Sequence, residues 1–266
     1  MFRLYRRYRA HDTAQQGAAL AYYLMFSLFP ILILVSSLIG RLRLDPEVLL
    51  GTVEPVLPRE VLAVVSAYLV YVSDHVSGSM LWFSVVFSIW FPMRATGCLM
   101  RAVRRAYDLG PPKKRVRYIF RTFLYTLLLL FTLVLTLLLM TLGGALAQAL
   151  GRALALPEQI VLLWGIVRFA LLGLIIFASL GVLYAIAQDT RKPLRTILPG
   201  AILSGVAWCV ISTVYAFYVE NISNYSAIYG ALGAVVVLLI WLYLSAIALI
   251  LGAEINHVLL HWGEEN

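Results

Sequence analysis

The chain has 266 residues, of which 62% are apolar and only 13% charged, and its mean hydropathy is +0.90. Soluble domains run at roughly 45–50% apolar and about 25% charged, and a soluble fold of this size cannot hide so much apolar surface from water; the composition argues against a soluble enzyme, a disordered chain or a secreted disulfide scaffold. The net charge of +8 fits either nucleic acid or a membrane surface, and the two cysteines, Cys98 and Cys209, form neither a redox motif nor a zinc site.

A hydrocarbon core about 30 Å thick needs roughly 20 helical residues to cross it, and lipid offers no partner for an unpaired backbone group. Six apolar runs meet that length, which predicts an all-α bundle of six transmembrane helices in a single integral membrane domain over 1–266. The first span covers about Gly17–Ile39 and follows a basic start carrying Arg3, Arg6, Arg7 and Arg9. It exceeds a signal-peptide core of about 7–15 residues and reads as an uncleaved anchor. Pro30 inside it removes a backbone hydrogen bond and should kink it.

The outward connection Arg41–Gly78 follows. Pro58-Arg59-Glu60 makes a helix opening, and Val61, Val64, Val65, Tyr68 and Val72 recur at helical spacing. This segment, about 58–75, is too short to cross and is expected to lie in the interface as a cover, or as a lid. Span 2 covers about Ser79–Met100 and span 3 about Thr122–Leu142. Span 4 covers Val161–Ala187, span 5 Thr196–Val219 and span 6 Tyr229–Gly252. Small residues recur at Gly17/Ala21, Gly200/Ser204 and Gly230/Ala234, a spacing that lets helices approach closely.

Fifteen Lys and Arg residues flank the spans on the side holding both termini, against four on the other, Arg41, Arg43, Arg59 and Arg152. By the positive-inside rule both termini are cytoplasmic. Eight of the fifteen fall in the segment 101–121, which is expected to touch anionic lipid headgroups rather than nucleic acid.

The last third reads Leu198-Pro199-Gly200-Ala201, then Trp208 and Tyr218, then Asn224-Tyr225-Ser226-Ala227-Ile228-Tyr229-Gly230-Ala231-Leu232-Gly233-Ala234. It closes with Trp241-Leu242-Tyr243-Leu244-Ser245 and Leu251-Gly252-Ala253-Glu254-Ile255-Asn256, while the first span carries Ala18-Ala19-Leu20-Ala21-Tyr22-Tyr23 and Ser27-Leu28-Phe29-Pro30. In order and spacing this resembles the YihY/BrkB family of bacterial inner-membrane proteins. The chain departs from the family pattern at Arg104-Arg105-Ala106-Tyr107 and at Tyr184-Ala185-Ile186-Ala187-Gln188-Asp189. The resemblance implies a six-span protein of the bacterial inner membrane. The family has carried ribonuclease and virulence-factor labels, and some members are linked to export of envelope lipid or lipopolysaccharide.

There is no H-E-x-x-H, Walker loop or G-x-S-x-G, and the cytoplasmic segments leave no room for a nuclease domain, so a ribonuclease, or any enzyme, is not the expected reading. Glu254, His257 and His261 could mimic a metal cluster, but read as an interfacial tail; neither metal nor cofactor is expected. Charges inside spans are costly, by about 2.5–3.5 kcal/mol on insertion scales, and mark paired, wet or snorkelling sites. Arg168, seven residues into span 4, and Arg94 in span 2 are the candidate anion- or lipid-binding residues. Glu254 is expected to pair with Arg94 or with the segment 101–121, and Glu220 is a rival partner for Arg168. Asn224 is expected to cap the turn between spans 5 and 6, beside Tyr215, Phe217, Tyr218, Tyr225 and Tyr229 at the outer interface. Two functions remain: transport or translocation of an anionic lipid or other anionic envelope substrate, and a non-transporting structural or scaffold protein of the envelope.

Overall fold

A computed structural model of the chain describes residues 2–42, 66–67, 78–112, 114–153, 158–188, 196–221 and 231–260. They form α1 (Phe2–Ala10), α2 (Thr13–Leu42), α3 (Gly78–Ala106), α4 (Arg115–Ala153), α5 (Glu158–Ala187), α6 (Leu198–Asn221) and α7 (Ala231–Leu260), with no strand among the described residues. All but α1 are long and apolar enough to cross a membrane. The interfacial segment expected near 58–75 lies almost wholly outside the described residues.

Several helices outrun the apolar stretches that announced them. α3 continues through Arg101, Arg104 and Arg105 to Ala106, and α4 starts at Arg115 rather than near Thr122. α7 likewise continues past Gly252 to Leu260. An apolar run marks the length set by the hydrocarbon, whereas arginine is a good helix former, so the helix persists into the headgroup layer. Pro30 lies inside α2, as expected, and a second proline, Pro92, lies inside α3. Hydroxyls within the helices turn back onto their own backbones: Ser27 Oγ donates to the Leu24 carbonyl, Ser84 to Leu81 and Thr126 to Thr122. Each hydroxyl is thereby satisfied without water.

α7 packs on α6, α2 and α3, and α2 packs on α3; α4 and α5 pair and join the bundle through α3. The largest cluster of buried residues draws Leu20 from α2, Ala95–Ala106 positions from α3 and Tyr125 from α4. It adds Leu183 and Tyr184 from α5, Ala201 from α6, and Ala246, Ile250 and Ala253 from α7. Every one of these lies toward the same end, where α2, α4 and α6 begin and α3, α5 and α7 finish. Two small clusters, around Met25–Leu238 and Tyr215–Val237, serve the other end among the described residues.

Glycine sets the closest crossing. A Cβ at Gly252 of α7 would lie 2.5 Å from the Tyr184 hydroxyl, 2.5 Å from Ser204 Cβ and 2.7 Å from the Gly200 carbonyl oxygen. A Cβ at Gly200 would in turn collide with the Gly252 carbonyl oxygen. The sequence pair Gly200/Ser204 is thus the α6 side of a backbone-to-backbone contact, whereas Gly17 sits against the side chains of Ile247 and Tyr243. Gly230 lies outside the described residues. Apolar side chains such as Phe131, Leu174 and Val214 remain exposed on the outside of the bundle, as suits a surface facing hydrocarbon.

Candidate functional site

Two polar arrangements stand out, one closing the end of the bundle that holds the main core and one running up its flank. The first is built on the end of α7. Glu254 has no exposed surface, and a buried carboxylate needs cations or donors. α1 and the turn after it supply them: Arg7 Nε lies 2.7 Å from Glu254 Oε2, and His11 Nδ1 lies 2.6 Å from Oε1. The turn after α3 brings in Asp108. Its carboxylate meets Arg7 Nη1 at 3.0 Å, His11 Nε2 at 3.3 Å and His257 Nε2 at 2.9 Å. Arg7 Nη2 also donates to the Ala106 carbonyl at 2.8 Å, engaging a backbone oxygen at the end of α3.

Local backbone chemistry explains the placement of the two turn acids. Asp12 and Asp108 both have positive φ, 50° and 54°. Aspartate tolerates this region better than most residues, so each can end one helix tightly. Leu109 N donates to the Arg104 carbonyl and Asp108 N to the Arg105 carbonyl, which fixes the turn that aims Asp108 at α1. Burial raises the Asp108 carboxyl pKa, but the Arg7 hydrogen bond and charge, helped by His257 and His11, outweigh it and hold it below the usual range. Burial opposes the Arg7 charge, yet its two carboxylate partners hold its guanidinium above the ordinary arginine value.

Beside this clasp lies a neutral network. Asn256 Oδ1 accepts from Gly200 N at 2.6 Å, while its Nδ2 donates to the Ile197 carbonyl and the Tyr107 hydroxyl. Burial pushes the Tyr107 phenol up to about 12, so it stays neutral at any physiological pH. Arg104 is buried and donates to the carbonyls of Ala187 and Gly110, tying the end of α5 to the turn after α3.

The second arrangement is on α3. Arg94, Arg101 and Arg105 are all exposed and fall at helical spacing on one face. That face lies between two flanking helices. On one side Cys98 Sγ reaches the Gln16 carbonyl of α2, and on the other Tyr118 of α4 donates to the Gly97 carbonyl. Arg94 lies twelve residues before the end of α3, about 18 Å along the axis. Its guanidinium carbon is 5.7 Å from the Tyr23 ring centroid and 5.8 Å from that of Trp90. Toward the other end the same surface is aromatic, with Phe83, Phe87, Trp90 and Phe91 in a chain of ring contacts joined to Phe26 of α2.

The expected site residues are therefore distributed unevenly. Glu254 does find a cationic partner, but it is Arg7, with His11 beside it, rather than Arg94 or the segment 101–121, because α1 folds over the end of α7. His257 is no idle tail residue, since α7 carries it onto Asp108; among the described residues no group of His, Cys, Asp and Glu is arranged to hold a metal ion, and His261 lies outside them. Arg168 is half-buried on α5 with its Nε shielded from solvent. Glu220 sits on α6, Asn224, Tyr225 and Tyr229 lie outside the described residues, and so does the Glu220 side chain. Tyr215, expected at the outer interface, is buried among side chains and donates to the Val237 carbonyl at 2.8 Å, whereas Phe217 and Tyr218 are exposed. Arg7, His11 and Asp108 were not singled out from the sequence, where Arg7 is one of four similar arginines and only Glu254 signals a need for partners.

The profile of a family described as Virulence factor BrkB matches residues 4–266. The putative ribonuclease-like protein YfkH of Bacillus subtilis is 31% identical over 256 residues, 96% of this chain and 93% of that protein. Shorter similarity joins the chain to proteins called UPF0761 membrane protein. The one from Alkalilimnicola ehrlichii is 43% identical over 77 residues, 29% of this chain and 17% of that protein; the one from Pseudoalteromonas translucida is 32% identical over 74 residues, 28% and 25%. No solved structure matches the chain.

Proposed function

The chain belongs to the Virulence factor BrkB family of integral membrane proteins, and from that premise we propose that it binds and translocates an anionic lipid or a similar anionic envelope substrate. The observation that carries the reading is the exposed arginine row of α3, with Arg94 set well inside a membrane-crossing helix against Tyr23 and Trp90. An arginine at that depth is costly unless its charge is compensated. A phosphate supplies the compensation through paired hydrogen bonds, and the aromatic surface beyond Trp90 suits the attached acyl chains. Arg105 and Arg101 would receive a headgroup at the membrane surface and Arg94 would hold it one step deeper. Arg168 on α5 is a second candidate anion contact.

In this reading the protein lies in the bacterial plasma membrane as one domain, with both termini in the cytoplasm and the basic segment 101–121 against anionic headgroups. The fifteen-to-four distribution of Lys and Arg supports the orientation. The word ribonuclease belongs to YfkH, and we assign no hydrolytic chemistry here: the two acids best placed for it, Glu254 and Asp108, are engaged by Arg7 and the histidines.

Reconstitution into liposomes carrying fluorescent phosphatidylglycerol tests the reading. Protein-dependent movement of the label between leaflets, reduced in Arg94→Ala at equal incorporation, is the expected result. Absence of movement with protein correctly folded in the bilayer would remove translocation and leave the structural reading.

A further inference from the structure

The clasp at the end of the bundle contains one group whose two polar atoms face two different acids. His11 Nδ1 is 2.6 Å from Glu254 Oε1, and its Nε2 is 3.3 Å from Asp108 Oδ1. A neutral imidazole has one N–H and one bare lone pair. Whichever tautomer forms, the bare nitrogen faces a carboxylate oxygen; only the imidazolium offers hydrogen to both. We infer that His11 is a proton-binding site, and that its proton closes α1 onto the bundle by bridging Glu254 of α7 and Asp108 of the α3 turn.

Among the described residues, the charges facing His11 come from three directions. α1 contributes Arg7, the turn after α3 contributes Asp108, and α7 contributes Glu254 and His257. From α2, Gln16 donates to the His11 carbonyl and fixes the backbone of the ring. With both imidazoles neutral, Arg7 faces two carboxylates, so the described side chains of the clasp sum to one negative charge. One proton on His11 neutralises it. His257 does not need a proton for its role, because a neutral ring with hydrogen on Nε2 donates to Asp108 Oδ2 at 2.9 Å. Tyr107, whose ring lies 6.4 Å from that of His257, stays uncharged.

The proton has a route. The Asp108 side chain is half exposed while Glu254 is fully buried, so His11 stands between solvent and the buried acid. Loss of the proton to water leaves a lone pair against a carboxylate and a net negative clasp, which weakens the hold on α1. The same end of the bundle carries the exposed Arg101 and Arg105. The inference rests on the clasp geometry alone and not on lipid binding.

The experiment measures α1 docking as a distance. Spin labels are placed at Arg9→Cys on α1 and Val116→Cys on α4, both exposed, in a Cys209→Ser background of the full chain in nanodiscs. Double electron–electron resonance is recorded at about pH 5.5 and about pH 8.5, either side of the ordinary histidine range near 6.5. A single docked distance at the lower pH is expected to lose population at the higher. His11→Lys, with a permanent charge, should stay docked at both, His11→Gln should lose the pH response, and His257→Gln should keep it. An unchanged wild-type distance distribution between the two pH values would overturn the inference without recourse to any variant. A pH response retained by His11→Gln would overturn it equally.

Discussion

Arg7 and Glu254 are 247 positions apart in sequence and 2.7 Å apart in space, Nε to Oε2. The first helix is thereby fastened to the last, and the pair shares its charge with Asp108 from the turn after α3. The partner on α7 is fully buried, so the consequences of breaking the pair are unequal.

Arg7→Ala removes the cation and leaves Glu254 buried with less compensation. Breaking a buried pair from one side costs about 3–5 kcal/mol, and the partial exposure of Arg7 puts this case at the lower end or below. Glu254→Gln leaves no orphan charge and should cost less, as should the Arg7→Met/Glu254→Leu double variant. Thermal unfolding in detergent, scored by folded yield after size exclusion, checks the order; a double variant as unstable as Arg7→Ala would contradict it.

Gly252→Ala should destabilise the crossing of α6 and α7. The added methyl meets Ser204 Cβ and the Tyr184 hydroxyl at 2.5 Å and the Gly200 carbonyl at 2.7 Å, and the backbone among these cannot swing aside. Overpacking of this kind costs about 1–3 kcal/mol or more. Gly173→Ala on α5, whose Cβ would meet nothing within 4 Å, is the matched control and should leave the melting temperature unchanged or slightly raised.

Asn256→Leu strands the Gly200 N–H and takes one of two donors from the Ile197 carbonyl, which keeps the Ala201 N–H. An orphaned buried polar group costs about 1–3 kcal/mol. Tyr107→Phe removes only one partner of the Asn256 amide and should cost less. Comparison of the two melting temperatures tests the ranking; equal losses would place the weight on the tyrosine hydroxyl instead.

Acid should unfasten the clasp through Asp108. Its folded pKa lies below the ordinary value of 3.8, so its stabilising effect is fully present above that value. It is lost as pH falls through the lower, folded value, and below that the native state has no advantage from it. Asp108→Asn should therefore be less stable than wild type at neutral pH, with the gap closing below about pH 3.8. A gap that stays constant into strong acid would contradict the assignment.

Much of this protein follows from chemistry that acts along the chain. Hydrocarbon leaves the backbone only a helix or a closed barrel, and six apolar runs of about 20 residues have the length of a spanning helix and not of a barrel strand. The same local pattern made Gly200/Ser204 legible as a packing surface and Arg94 legible as a charge in need of an explanation. Helix ends were less legible, since arginine-rich turns such as Arg115–Arg121 continue a helix beyond the apolar run that reveals it.

What tertiary structure decided was which charge meets which. Sequence places Arg7 among four similar arginines and cannot say that this one turns inward while Arg6 and Arg9 stay exposed. Glu254 was recognisable as an acid needing a cation, yet the cation came from α1, because the fold of α1 over the end of α7 was set by the packing of the bundle. His11 and Asp108 carried no sequence signal, being ordinary turn residues until two left-handed turns aimed them at one another. Apolar periodicity is a one-dimensional property that a chain carries with it. Ion pairing over hundreds of positions depends on distances of a few ångströms, and these exist only after the helices have packed.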